Sequence, residues 1–227
     1  MSVGTTLRLT GALLRKDVRV AARSRETALL VLLFAVLCVL IFAFGFLREG
    51  AVAAEVVPGV LWVTLQFAST VALLRLFAAE EEAGALELAL RSVAGPAPLF
   101  FSKALMQLLF SGMVTALVLP MVLVFFDATR IPLGATLAAL ALGLVGQALV
   151  GTLVSGLMVR VQMRDVLLPL VLYPILTPSL IAGVKVTAIS IAGGSTEVIG
   201  TWLSLMVVFD AVFVLASPWL YARASTP

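Results

Sequence analysis

The sequence predicts an all-α, polytopic membrane protein with six transmembrane helices. An amphipathic interfacial helix precedes the first span, and a short cytoplasmic amphipathic helix separates the second from the third. Three observations carry this expectation. Of 227 residues, 62% are hydrophobic and only 12% charged, whereas soluble domains carry about 25% charge. The apolar residues fall in six continuous runs, each near the ~20 residues that a helix needs to cross a bilayer. Finally, Lys and Arg crowd into alternate connections, as orientation in a membrane demands.

Composition excludes much. The mean hydropathy of +1.19 leaves too little polar surface for a soluble enzyme or a nucleic-acid reader. The net charge of +3 is explained by topology instead. With no His and a single Cys, histidine-based zinc sites and Ser-His-Asp or Cys-His catalysis are impossible. Cys38 sits among apolar residues and reads as a small buried hydrophobe. No metal-binding cluster is expected.

Residues 1–26 form the basic leader. Leu7, Leu14, Val18 and Ala21 recur near a helical period, while Arg15, Lys16, Arg19 and Arg23 lie largely on other faces, with Arg25 next to the first span. A basic amphipathic helix of this kind lies in the headgroup layer. Ser24 is placed to cap the first span, and Glu26 suits its positive dipole end. The spans are expected at 27–47, 57–78, 105–126, 133–159, 166–186 and 198–221. The first apolar run is too long for a signal-peptide core, so it should remain in the protein. A β-barrel would show alternation instead of unbroken Leu, Ala and Val.

Twelve of the fifteen basic residues lie on one side of this arrangement. They are Arg8, Arg15, Lys16, Arg19, Arg23, Arg25, Arg75, Arg91, Lys103, Arg160, Arg164 and Arg223. Arg48, Arg130 and Lys185 lie on the other. Both termini should therefore be cytoplasmic. The connection between the second and third spans carries Glu80, Glu81, Glu82 and Glu87, with Leu86, Leu90 and Val93 on one apolar face. Gly95, Pro96 and Pro98 end it. Residues 80–93 thus read as an exposed amphipathic helix able to enter a groove on a partner. The 185–197 connection suggests a small external or re-entrant helix.

Within the membrane, Asp210 is a functional candidate or a hydrogen-bonded link between helices. Ala139, Gly143, Gln147, Gly151 and Ser155 recur every fourth residue, which makes a packing seam or a dimer seam. Pro169, Pro174 and Pro178 should bend the fifth span. The chain has no GxxxxGK[ST] motif to bind ATP and no evident inverted repeat. One permease domain over 1–227 is the expected organisation.

Four stretches in order bear a family resemblance. They are Leu14-Arg15-Lys16-Asp17-Val18-Arg19 followed by Arg23-Ser24-Arg25-Glu26; Gly59-Val60-Leu61-Trp62; Glu80-Glu81-Glu82-Ala83-Gly84-Ala85-Leu86-Glu87; and Arg164-Asp165-Val166-Leu167-Leu168-Pro169-Leu170. With the six spans they resemble the membrane subunits of type V (ABC-2) exporters, and more narrowly the heme exporter B (CcmB) family of cytochrome c maturation. The resemblance implies a non-catalytic permease subunit of the bacterial inner membrane that serves heme export or handling. It implies a dimer working with two copies of the ATPase CcmA, with the membrane proteins CcmC and CcmD, and with the heme chaperone CcmE. Heme would be a substrate of the complex, and ATP would be bound by the partner. Residues 80–93 would be the coupling helix, with Glu80, Glu82, Gly84, Leu86 and Glu87 as its contact surface. Two alternatives stay open: a permease for a lipid, polysaccharide or drug, and a scaffold that transports nothing. The absence of His, the usual strong axial ligand of heme iron, leans toward ATP-driven remodelling of the complex.

Overall fold

Long apolar runs in hydrocarbon must satisfy their own backbone groups, and a helix does so within one segment. The structure, a computed structural model, describes residues 3–23, 26–48, 51–52, 54–77, 96–127, 133–159 and 161–225. Its helices are α1 (Val3–Arg23), α2 (Glu26–Gly45), α3 (Val57–Arg75), α4 (Ala97–Phe125), α5 (Leu133–Leu157), α6 (Arg164–Ile191) and α7 (Thr196–Ser225). The six helices α2 to α7 are long and apolar enough to cross a membrane, as the sequence predicts. A two-residue antiparallel pair, β1 (Leu47–Arg48) with β2 (Ala51–Val52), and a 3₁₀ turn at Ala54–Val56 join α2 to α3. Glu80, Glu82, Gly84, Leu86, Glu87 and the rest of the expected 80–93 helix lie outside the described residues, as do Ser24 and Arg25.

The bundle is layered around α3 and α5. Their apolar windows are 67% and 61% buried, against 11% for α7. α5 packs against α3, α4, α6 and α7, while α1 lies along α4. In α2, burial follows the helical repeat: Val31, Ala35, Val39 and Ala43 face inward, and Leu33, Leu37 and Ile41 face out. Small residues on the buried stripe bring α2 close to α3, and large ones meet the bilayer.

Two boundaries differ from expectation. α4 begins at Ala97 rather than near 105. Pro98 does not break it, because a proline in the first turn removes an N–H that has no helical partner anyway. At about 1.5 Å per residue, α4 is roughly 43 Å long and outruns the ~30 Å hydrocarbon core. Its first two turns are thus available to α1. The expected helix in the 185–197 connection is instead the end of α6, which continues through its three prolines to Ile191. Gly193, at φ 66°, then ends the helix in a left-handed turn. The N–H of Gly194 donates to the Ile189 carbonyl at 2.9 Å, and that of Gly193 to Ser190 at 3.3 Å, which is the Schellman arrangement. Ser195 caps α7 at once, accepting from the Glu197 N–H at 3.2 Å.

The four-residue seam of α5 is an internal packing surface that seats α3. A Cβ on Gly143 would meet the Trp62 ring at 2.5 Å, and one on Gly183 of α6 would meet it at 2.3 Å. Trp62 therefore lies against two helices that lack side chains where its ring sits. Its Nε1–H donates to Thr187 Oγ1 at 3.0 Å, and Thr187 donates to the Gly183 carbonyl at 2.9 Å. Farther along, Leu73 fills the place of a side chain on Gly151. Gln107 of α4 ties α3 from another side, donating to the Ser69 carbonyl at 3.0 Å and to Ser111 Oγ at 3.1 Å.

Gly183→Val should cost about 1–3 kcal/mol by overpacking. The measurement is the thermal aggregation midpoint of the detergent-solubilised chain. Trp62→Phe in the same background should recover part of the loss, whereas an unchanged midpoint would place the strain elsewhere.

Candidate functional site

The groups best placed to act together form a collar around the end of α3, where the chain enters the acidic segment. Leu73 is in the last turn of α3, where helix carbonyls run short of N–H partners. Its carbonyl accepts from the Leu76 N–H at 3.1 Å, from Ser155 Oγ at 3.1 Å and from Arg164 Nη2 at 3.4 Å. The same Arg164 nitrogen donates to Ser155 Oγ at 3.1 Å. A cation at a helix C-terminus suits the dipole. Here it comes from the first turn of α6, so one guanidinium joins α3, α5 and α6.

The second half of the collar is an ion pair between α1 and α4. Lys103 Nζ lies 3.1 Å from Asp17 Oδ2, and both side chains are under 10% exposed. Lys16 Nζ approaches the other carboxylate oxygen at 3.2 Å from the exposed side. Lys103 also lies over the Phe77 ring, 5.7 Å from its centroid. Phe77 and Phe100 are fully buried, and Phe100 packs on Tyr221 of α7 at 5.5 Å. Both ends of the chain that lead into residues 78–95 are thus fixed to the bundle.

Sequence reasoning placed Arg164 and Asp17 within family-like stretches but assigned them no partner. Lys103 counted only as a topological charge. The available signal was an Asp in the middle of a basic helix together with a Lys next to an apolar run. The inward face of α1 also differs from the expected apolar stripe. Thr10 and Asp17 are buried, with Leu13, Leu14 and Ala21 partly so, while Leu7 and Val18 point outward. Of the expected basic residues, Arg15, Lys16, Arg19 and Arg23 are exposed on α1.

The intramembrane candidates do not converge. Asp210 is buried in α7 and packs on Gly146 of α5, where a Cβ would lie 2.7 Å from its Oδ1. Gln147 is also buried, but it lines a narrow cleft with Trp62, Gln66 and Ser69 of α3. No hydrogen bond joins them among the described residues, and Gln147 Nε2 and both Asp210 oxygens have no protein partner there.

The geometry defines a helical, multi-pass membrane protein with Arg164, Ser155, Asp17 and Lys103 forming a bonded collar at one end of the bundle. The CcmB protein family model matches residues 8–226, and the chain belongs to that family. It is 31% identical to heme exporter protein B of Paracoccus denitrificans over 188 residues, 80% of this chain and 84% of that one. It is 29% identical to the protein of the same name from Rhodobacter capsulatus over 216 residues, 94% and 96% of the two chains. The Bradyrhizobium diazoefficiens protein is 26% identical over 213 residues, 94% and 95%.

Removing one partner of a buried ion pair costs about 3–5 kcal/mol, whereas replacing both can be nearly neutral. Asp17→Leu and Lys103→Met should each lower the stability of the detergent-solubilised chain, and the double variant should recover most of the loss. Additive losses in that cycle would show that the pair is not coupled.

Proposed function

We propose that this chain is the permease subunit of a heme-export complex in c-type cytochrome maturation. It would sit in the bacterial inner membrane with both termini cytoplasmic and would leave ATP hydrolysis to a partner. The family match over residues 8–226 carries this reading. The excess of Lys and Arg on the side of the leader supports the orientation.

The partner set is the ATPase CcmA, the membrane proteins CcmC and CcmD and the chaperone CcmE, with two copies of this chain per complex. The ATPase grips residues 80–93, using Glu80, Glu82, Gly84, Leu86 and Glu87. When it closes on ATP, the push reaches α3 and α4 through their ends at Phe77 and Pro96. Arg164 and Ser155 pass it from the Leu73 carbonyl to α6 and α5, and the Asp17–Lys103 pair passes it to α1. The lack of any His favours a second form of the same function, in which the stroke remodels the complex and heme never crosses this chain.

Glu82→Lys with Glu87→Lys should reduce co-purification of the ATPase and the yield of holo-cytochrome c, while membrane insertion stays normal. An unchanged pull-down would count against the coupling surface. Asp210→Asn, which keeps the shape against Gly146, should retain assembly, and Asp210→Leu should impair it. Intact assembly and cytochrome yield with Leu would remove any role for this group.

A further inference from the structure

α1 carries four exposed arginines, none bonded to another described residue, and the last three fall close together. Arg15, Arg19 and Arg23 are spaced by four residues and exposed. At about 3.6 residues per turn they form one ridge, on the side of the helix opposite Thr10, Asp17 and Ala21. Those three face the bundle, and the buried Asp17–Lys103 contact fixes the rotation of the helix. The ridge therefore points away from the described helices of the bundle. Nearby Asp17 does not neutralise it, because its carboxylate is turned inward between Lys103 and Lys16. Together with Ala12, Lys16 and Val20, the arginines line a shallow, open depression of about 470 Å³. Exposed Leu7 and Val18 run along one flank and exposed Val20 along the other.

We infer that this ridge is a binding site for the headgroup of an anionic phospholipid. Guanidinium groups take phosphate oxygens in paired hydrogen bonds. The flanking apolar side chains suit the start of the acyl region. An acidic protein would use the cations but would have no need of exposed Leu7, Val18 and Val20 beside them. The site is independent of what the chain carries, since it rests only on α1 and its fixed rotation.

The test uses the full chain in phosphatidylcholine vesicles that contain a trace of spin-labelled phosphatidylglycerol or spin-labelled phosphatidylcholine. The electron spin resonance spectrum reports the lipid immobilised by the protein. The wild type should immobilise more of the phosphatidylglycerol label, and added salt should weaken that preference. The variant R15Q/R19Q/R23Q should lose it, giving equal signals for the two labels. R15K/R19K/R23K should keep part of it, which guards against loss through misfolding. Lys185→Gln, at the far end of α6, should leave it intact, and inorganic phosphate should not abolish it. An unchanged preference in the glutamine variant, or an equal loss in Lys185→Gln, would overturn the site. Displacement by inorganic phosphate would overturn the lipid as its occupant. So would a glutamine variant that keeps its lipid preference but loses a co-purifying protein, which would assign the ridge to a protein partner.

Discussion

The structure depends on how closely α3 can approach its neighbours. In a bilayer, lipid tails are as apolar as the side chains, so helices associate through fitted contact and hydrogen bonds rather than through the exclusion of water. The indole of Trp62 reaches α5 and α6 only because Gly143 and Gly183 leave room for it. Its hydrogen bond to Thr187 then fixes the depth of insertion. Leu73 repeats the device against Gly151, and its carbonyl is gripped by Ser155 and Arg164. One helix is therefore held along its length by two others, and its last turn sits where the chain leaves for the acidic segment.

The charges obey a different rule from the apolar seam. A buried ion pair gains little net stability over a well-packed apolar pair, because both ions lose their water. It does exclude other arrangements. With Asp17 turned inward to meet Lys103, α1 has one rotation on α4, and its arginines have one direction. Specific placement is the reading that best accounts for a buried Asp–Lys contact at the edge of a membrane bundle. The basic amphipathic leader of the sequence thus becomes an element of fixed orientation on α4.

Much of this was legible in the sequence. The six spans follow from run length alone, since the hydrocarbon fixes how long a helix must be. The seam residues Gly143, Gly151 and Ser155 were visible as a four-residue repeat, but their partner was not. A repeat of small residues says that something comes close, and only the structure shows that α3 does so and not a second copy at that seam. The start of α4 was misplaced because Lys103 and Pro98 look like the edge of a membrane segment. A charge reads as exposed until its mate is found, and the mate lies 86 positions earlier in α1. The end of α6 was misread because Gly193-Gly194 stops a helix abruptly, so the polar connection is shorter than its composition suggests.

The turn at Gly193 has a mechanical meaning. Between the last residue of α6 and the first of α7 lie only residues 192–195. All four are committed to ending one helix or starting the next, with hydrogen bonds that leave no slack. At that end the two helices are hinged like the arms of tweezers. Joined there, neither can slide past the other. A displacement delivered to Arg164, at the opposite end of α6, would be felt by α7 as a change of angle rather than of height.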